Sequence, residues 1–287
     1  MSDIATDEKI KEAVRQAYGQ SARRFVEEPA RASCCGPRQE ASCCGPSEAA
    51  VELSGAAARL YSDEEMAGLP QSVTGMAMGC GNPTAIAELQ PGEVVLDLGS
   101  GGGIDCFLAA RQVGPQGQVI GLDMTPEMIQ VARRNAKKIG ASNVDFRYGE
   151  MEDIPLPAGS VDVILSNCVI NLSPDKDAVF HEAYRVLRPG GRMSISDIVI
   201  DGELPAAIRS RLDAWAGCLA GALDEAVYLD KMRAAGFEAV EVQSRDHVEF
   251  DETEWKDEKA MLGKAGISPR DLNHKVASIK VKARKPA

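Results

Sequence analysis

The segment Val94–Gly103 constrains the fold of this chain more than any other. It begins with apolar residues that are typical of a buried strand and continues through Asp97 and Leu98 into a run of glycines. A helical pattern follows from Ile104 onwards. A strand, a glycine turn and a helix N-terminus together form a cradle for nucleotide cofactors, because glycine lets the backbone approach the ligand closely. The segment therefore predicts a cofactor-binding α/β fold.

Strand and helix patterns alternate through the middle of the chain. Strands are predicted near residues 93–98, 118–123, 143–147, 161–166 and 192–199, and helices near 104–112, 126–139 and 175–187. This alternation predicts an α/β fold with a doubly wound, mostly parallel, Rossmann-like sheet and a small C-terminal α+β part. Outside this region we expect helices near residues 6–20, 83–89, 205–222 and 225–235, a strand near 237–244, and an edge strand over 276–281.

Composition narrows the class of protein. The chain of 287 residues has a formal net charge of −11, from 32 Lys and Arg against 43 Asp and Glu, which disfavours nucleic acid as a partner. Its start has no apolar core of a signal peptide, and no apolar run is long enough to span a bilayer. We expect a cytoplasmic protein without a membrane partner. Three regions are predicted: an N-terminal helix and loop (1–70), a cofactor-binding core (71–202) and a C-terminal region with a substrate-site helix (203–287).

The spacing within the glycine turn indicates which cofactor binds. A nicotinamide fingerprint that started at Gly99 would need glycine at position 104, where Ile104 stands. The pattern of Asp97, Gly99, Gly101 and Gly103 instead resembles motif I of the class I S-adenosylmethionine-dependent methyltransferases. This resemblance implies S-adenosylmethionine as methyl donor, held by Asp97, Gly99, Ser100 and Gly101.

The ends of the later strands add further candidates for cofactor binding. Asp123 ends the second strand, about 20 residues after Gly101, where a ribose-binding carboxylate is expected. Asp123 could also cap the following helix, or do both. The other candidates are Met124, which could pack on an adenine ring, Met151 and Glu152 after the third strand, and Ser166 and Asn167 at the end of the fourth. The stretch from Tyr184 to Gly191 also resembles the turn before the fifth strand of these methyltransferases.

Cysteines are the candidates for substrate binding. The chain has eight, and a cytoplasmic protein uses cysteine for metal binding or catalysis more often than for disulfides. Cys168 follows the fourth strand at the sheet edge where the donor is expected, and its soft thiol suggests a soft substrate atom. Cys80 and Cys218 lie among small residues that permit close approach. Each of these three could instead be a packing residue, whereas Cys106 is expected in the core.

Three segments resemble the arsenite methyltransferase family: 79–83 (GCGNP), 166–172 (SNCVINL) and 217–223 (GCLAGAL). The similarity extends from about Tyr61 to Phe250. It implies that Cys80, Cys168 and Cys218 hold trivalent arsenic, as arsenite or methylarsenite, and that these thiolates are the catalytic groups. The arsenic lone pair would then attack the methyl group of the donor. Met78 departs from the pattern, since some animal and algal members have Tyr at this position.

An internal repeat, Ala-Ser-Cys-Cys-Gly-Pro, places two cysteine pairs in a predicted loop. Its redox candidates are Cys34, Cys35, Cys43 and Cys44. Methylation would leave arsenic(V), so two electrons are needed, and thioredoxin or glutathione would restore the thiols. Zinc is disfavoured because adjacent cysteines do not have the usual ligand spacing. Two other functions stay open at this point: a methyltransferase for a small organic molecule such as a quinone, and a protein that sequesters or senses a soft metalloid.

Overall fold

One mixed sheet organises the described part of the protein. The computed structural model describes residues 6–26, 57–204, 218–247 and 275–287. The strands in these ranges are β1 Val94–Leu98, β2 Gln118–Asp123, β3 Val144–Tyr148, β4 Val161–Asn167, β5 Leu187–Ile200, β6 Leu223–Asp224, β7 Glu238–His247 and β8 Val276–Arg284. Their order across the sheet is β3-β2-β1-β4-β5-β8-β7, with β6 beside β5. Strands β1 to β5 run parallel to one another, whereas β8 is antiparallel to both β5 and β7.

Helices cover the sheet. Within the described ranges they are α1 Asp7–Val26, α2 Asp63–Met66, α3 Gln71–Thr74, α4 Ile104–Val113, α5 Pro126–Ile139, α6 Lys176–Val186 and α7 Glu225–Ala234. Two short 3₁₀ helices span Pro83–Ala85 and Ile170–Leu172. None of the helices in these ranges has the length and apolar character needed to cross a membrane.

Local sequence explains the element boundaries in the core. β1 is apolar except for the buried Asp97, because both of its faces are covered, as is usual in parallel sheets. Helix α5 starts with Pro126, whose missing N–H costs nothing at this position, and ends where Gly140 adopts a left-handed φ of 69°. One apolar stripe of α5, which includes Met128 and Ala132, is completely buried. Ala132 packs on the sheet and Met128 packs against α1, and this burial is what holds the helix in place.

The predicted doubly wound, mostly parallel sheet is confirmed, and the five predicted core strands match β1 to β5 to within a few residues at each end except at the start of β5. Three local predictions were wrong. The helix expected near 83–89 is only the 3₁₀ turn Pro83–Ala85, because the Asn82 side chain caps a single turn. Residues 218–222 form turns, not the end of a helix; the rest of the helix predicted over 205–222 lies outside the described residues.

The third error concerns β8. The sequence over 276–281 alternates and was expected at a sheet edge, but β8 lies between β5 and β7 and pairs with both. Alternation reports which face is exposed and carries no information about neighbours along the hydrogen-bonding direction. The described strands of the predicted C-terminal region therefore extend the same sheet as the core.

Candidate active site

A cavity lies at the carboxyl ends of β1 to β4. The chain leaves β1 towards β2 and β3 on one side and returns to β4 on the other, so this edge is the topological switch point where such sheets bind ligands. The residues that line the cavity come from α1, from the 75–82 loop and from the ends of these strands: Val14, Tyr18, Tyr61, Met76, Ala77, Met78, Gly79, Asp97, Gly99, Ser100, Gly101, Gly102, Ile104, Asp105, Leu122, Asp123, Met124, Thr125, Gly149, Met151, Asn167, Cys168, Val169 and Leu172.

The glycine turn forms the floor of this cavity. Gly99 has a φ of 66°, and a Cβ built on it would lie 2.2 Å from Cγ2 of Val169, so no larger residue fits. Gly101 has a φ of 50°, and nothing lies within 4 Å of the position of its Cβ. Between them, the buried Ser100 hydroxyl has no hydrogen-bond partner in the described structure. An open backbone cradle with an unpartnered buried hydroxyl fits a nucleotide-type ligand.

Asp123 contacts both the glycine turn and the start of the following helix. Its Oδ2 accepts a hydrogen bond from the Gly101 backbone N–H at 2.9 Å, and its Oδ1 accepts one from the Thr125 backbone N–H at 2.8 Å. The second bond fixes the start of α5. A carboxylate offers about four acceptor sites, so hydroxyl groups of a ligand can still bind. Burial raises the pKa of Asp123, and these backbone donors oppose that rise.

Two further carboxyls are buried beneath the cavity. Burial and the neighbouring Asp105 carboxyl raise the pKa of Asp97 well above its usual value, while the Cys106 thiol donates to its Oδ2 at 3.2 Å. Burial also raises the pKa of Asp105, to about 6. Asp105 accepts hydrogen bonds from the Tyr61 hydroxyl at 3.0 Å and from Nδ2 of Asn167 at 3.1 Å.

Asn167 connects the end of β4 to the 75–82 loop. Its Oδ1 accepts from the backbone N–H of Cys80 at 3.1 Å and of Gly81 at 3.3 Å, while its Nδ2 donates to the Gly81 carbonyl at 2.7 Å. A Cβ on Gly79 would lie 2.3 Å from the same Oδ1. The amide of Asn167 thus holds the loop that carries Cys80.

The three predicted substrate cysteines come together at this point. Cys168 and Cys218 are both buried, and both adopt left-handed backbone conformations, with φ of 60° and 62°. The Cys218 thiol donates to the Cys168 carbonyl at 2.9 Å. Cys168, Cys218 and Cys80 belong to one packed cluster, and the neighbouring thiols of Cys218 and Cys80, together with burial, raise the pKa of Cys168 well above the usual value. Only Cys168 of the three also lines the cavity.

A buried polar network lies behind the cysteines. The Asp197 carboxyl accepts from the Tyr228 hydroxyl at 3.1 Å and from Nδ2 of Asn171 at 2.9 Å, and burial raises its pKa to about 6. Lys176 donates to the Ser173 carbonyl at 2.9 Å, and burial lowers its pKa to about 8 in spite of the attraction of Asp197. The network therefore fixes the segment that follows Cys168 through its hydrogen bonds to Asn171 and Ser173.

The cysteines do not form a ready-made metal site. Among the described residues, no group of three or more His, Cys, Asp or Glu side chains is arranged to hold a metal ion. The Cys218 thiol donates to the Cys168 carbonyl, so it has to give up this bond to bind a ligand through its thiolate. Cys106 is buried in the core beside Asp97, as expected. The predicted redox residues Cys34, Cys35, Cys43 and Cys44 lie outside the described residues.

The structure gathers most of the predicted cofactor residues around the cavity. Its lining includes Asp97, Gly99, Ser100, Gly101, Asp123, Met124, Met151 and Asn167. Glu152 does not line it: it accepts from the Ser173 hydroxyl at 2.6 Å and pairs with Lys11 at 3.2 Å. Ser166 is completely buried within β4. Direct contact of these two residues with the donor stays a prediction.

Sequence reasoning missed several lining residues. Tyr18 belongs to the predicted N-terminal helix, but nothing in the sequence indicates that this helix reaches the cavity. Tyr61 gives no signal either, because its partner Asp105 is 44 residues away. Asp105 itself could have been found, since it is a charged residue at the start of a helix that directly follows the glycine turn.

Comparison with known proteins agrees with this geometry. Residues 89–266 match the family described as "Methyltransferase domain". Arsenite methyltransferase of Halobacterium salinarum is 45% identical over 237 residues, which are 83% of this chain and 58% of the relative. That of Aquipseudomonas alcaligenes is 48% identical over 152 residues, which are 50% of this chain and 43% of the relative. The chain thus spans about half the length of these curated relatives.

A solved structure extends the comparison. It is the crystal structure of CrArsM, an arsenic(III) S-adenosylmethionine methyltransferase from Chlamydomonas reinhardtii. The identity is 33% and the TM-score 0.62, over 85% of this chain and 75% of that chain. The sheet described above therefore has the class I methyltransferase fold.

Proposed function

This chain belongs to the arsenite methyltransferase family, and on that premise we propose that it transfers a methyl group from S-adenosylmethionine to trivalent arsenic held by Cys80, Cys168 and Cys218. One observation carries the proposal: Cys168 lines the donor cavity and also packs in one cluster with Cys80 and Cys218. An atom bound between these sulfurs faces the place where the donor fits. Arsenic(III) is soft, and thiolates are its natural ligands.

The raised pKa of Cys168 is compatible with binding of arsenite. Each thiol that replaces a hydroxyl of arsenite transfers its proton to that hydroxyl, which leaves as water. Three thiols therefore release three waters and no net proton, and the neutral Cys168 needs no separate base.

The protein contributes mainly position to the methylation step. The donor supplies an electrophilic methyl group on a sulfonium centre. Asp123 and the glycine turn hold and orient the nucleotide end, and the Asn167 amide keeps Cys80 beside Cys168. The arsenic lone pair forms the new As–C bond as the methyl–sulfur bond breaks, and the positive charge passes to arsenic. Positioning of this kind contributes up to about 7–11 kcal/mol.

The product holds arsenic(V), which returns to arsenic(III) with two electrons from thiols that close a disulfide. We propose that thioredoxin or glutathione then reduces this disulfide. Cys34, Cys35, Cys43 and Cys44 are the candidates to relay the electrons.

The test combines the purified protein with arsenite, S-adenosylmethionine and a thioredoxin or glutathione system, with arsenic species separated by chromatography. We expect methylated arsenic from the wild type and a loss of more than about a hundredfold in Cys168→Ser, since serine is a poor ligand for a soft centre. Cys106→Ser is the matched control. It replaces an equally buried thiol and keeps a donor to Asp97, so it should remain active.

Donor binding without methylated arsenic would instead indicate an organic substrate. Arsenite binding without donor binding would indicate a sequestering protein. Full activity in Cys168→Ser would exclude the proposed thiol site.

A further inference from the structure

Helix α1 lies across the donor cavity. Ile10, Val14, Tyr18 and Ala22 follow one another at four-residue intervals along it. Ile10, Val14 and Ala22 are buried, and Val14 and Tyr18 line the cavity. Residues four apart share one face of a helix. This face of α1 therefore covers the site, although α1 precedes the glycine turn by more than 70 residues in the sequence.

Contacts at both ends fix α1 to the rim of the cavity. Near its start, Lys11 pairs with Glu150 at 2.6 Å and Glu152 at 3.2 Å, both of which follow β3. Near its end, Arg23 pairs with Glu127 of α5 at 2.8 Å. The pairs are partly exposed, so each adds little energy by itself, but together they set the orientation of the helix.

Tyr18 is the residue of α1 that reaches the cysteines. It packs against the cluster of buried residues that contains Cys168 and Cys218. Burial, and after it the neighbouring Cys218 and Cys168 thiols, raise the pKa of its phenol well above the usual value. Tyr18 also lines the donor cavity, whereas Cys218 does not. The Cys218 thiol already donates its proton to the Cys168 carbonyl, which leaves its sulfur lone pairs available to a donor such as a phenol O–H.

We propose that Tyr18 is a positioning residue that connects the donor cavity with the cysteines: its hydroxyl orients the Cys218 sulfur, and its ring closes the donor cavity. The inference rests on the proposed function, whose substrate site it extends to α1. Met78, half exposed at the same cavity, has no hydroxyl and no ring with which to take this role.

The two parts of Tyr18 are separable by substitution. Tyr18→Phe keeps the ring and removes the hydroxyl, so we expect arsenite affinity to fall about fivefold while donor affinity stays unchanged, the fold-change that one net hydrogen bond is worth. Tyr18→Leu also removes the ring, so donor affinity should fall as well, by about tenfold. Tyr184→Phe, at a tyrosine that packs on Phe237 away from the site, is the matched control and should change neither affinity.

The measurement is calorimetric titration of the full chain, with reduced thiols, against arsenite and separately against S-adenosylhomocysteine, the demethylated donor. Neither titration needs turnover. A wild type that binds both ligands and forms no methylated arsenic would refute the proposed function. The affinities of the two Tyr18 variants for arsenite and S-adenosylhomocysteine would still decide the role of Tyr18. Thermal unfolding of each variant shows that it is folded. Equal arsenite affinity in Tyr18→Phe and wild type, or equal donor affinity in Tyr18→Leu and wild type, would overturn the inference.

Discussion

The donor half and the thiol half of the site are built in different ways. The donor half is mostly backbone: a glycine turn and the ends of β1, β2 and β3, which follow one another along the chain. The thiol half joins distant segments through side chains. Asn167 bonds to Cys80, 87 residues earlier, and Cys218 bonds to Cys168, 50 residues earlier.

This difference has a physical consequence. Backbone conformation follows from the fold itself, so the donor half is common to many enzymes with this sheet. The thiol half depends on individual polar contacts between segments that the sheet does not hold together. Substitutions should therefore break the donor half only where a Cβ cannot be placed, and weaken the thiol half one hydrogen bond at a time.

The largest expected effect is that of Gly99→Ala. The new Cβ would lie 2.2 Å from Cγ2 of Val169, and the φ of 66° is strained for alanine. Overpacking and backbone strain together should cost about 4 kcal/mol of unfolding free energy. Because Val169 follows Cys168, this variant should lose affinity for both the donor and arsenite. Denaturant unfolding and the two calorimetric titrations measure these losses.

Gly101→Ala is the matched control for that collision. Its φ of 50° is similarly strained, but its Cβ would have open space around it. We expect a loss of about 1 kcal/mol in stability, from backbone strain alone. Similar losses in the two variants would mean that contact with Val169 does not decide the need for glycine.

The next effect concerns Asp105, which contacts both halves of the site. Asp105 lines the donor cavity and holds Asn167, and burial raises its pKa from 3.8 to about 6. The folded state thus binds this proton more tightly than the unfolded state. Its contribution to stability is present below about pH 4 and is lost as pH rises through 6, a change of about 3 kcal/mol.

Asp105→Asn should remove that pH dependence. The unfolding free energy of the variant relative to wild type should rise by about 3 kcal/mol between pH 4 and pH 7. In addition, a pH-independent loss of about 1 kcal/mol in unfolding free energy shifts the whole curve of the variant, because the new amide cannot accept from both Tyr61 and Asn167. Urea unfolding at a series of pH values measures the difference. Parallel curves for the two proteins would contradict the cause assigned to the pKa.

The same contrast explains what the sequence could predict. The donor half was predictable because its signals are local: strand, glycine turn and helix occur in direct succession at Val94–Val113. Asp123 was found by its spacing from Gly101, and its contact with the Gly101 N–H agrees with that position. Local patterns of this kind are visible in a single sequence because the backbone conformation itself requires those residue types.

The thiol half was predictable only through resemblance to a family. No periodicity or spacing relates Cys80 to Cys168 or Cys218, and Tyr18 and Tyr61 reach the cavity from segments with no signal for it. The position of β8 inside the sheet escaped for the same reason, since its pairing with β5 and β7 is long-range. Contacts between distant segments depend on packing that one sequence does not display.

The smallest effect tests whether the thiol half is sensitive to single hydrogen bonds. The Ser278 hydroxyl, on β8, donates to the Cys80 carbonyl at 3.0 Å. Ser278→Ala removes this bond, worth about 1 kcal/mol, and should weaken arsenite binding about fivefold while donor affinity stays the same. Ser194→Ala is the matched control: it removes a bond of 2.8 Å to the Pro83 carbonyl, beyond the cysteine, and should leave both affinities unchanged at a similar cost in stability. If Ser278→Ala instead weakened donor binding as much as arsenite binding, both halves of the site would depend on the same hydrogen bond. The distinction between a donor half built from backbone and a thiol half built from side chains would then fail at Cys80.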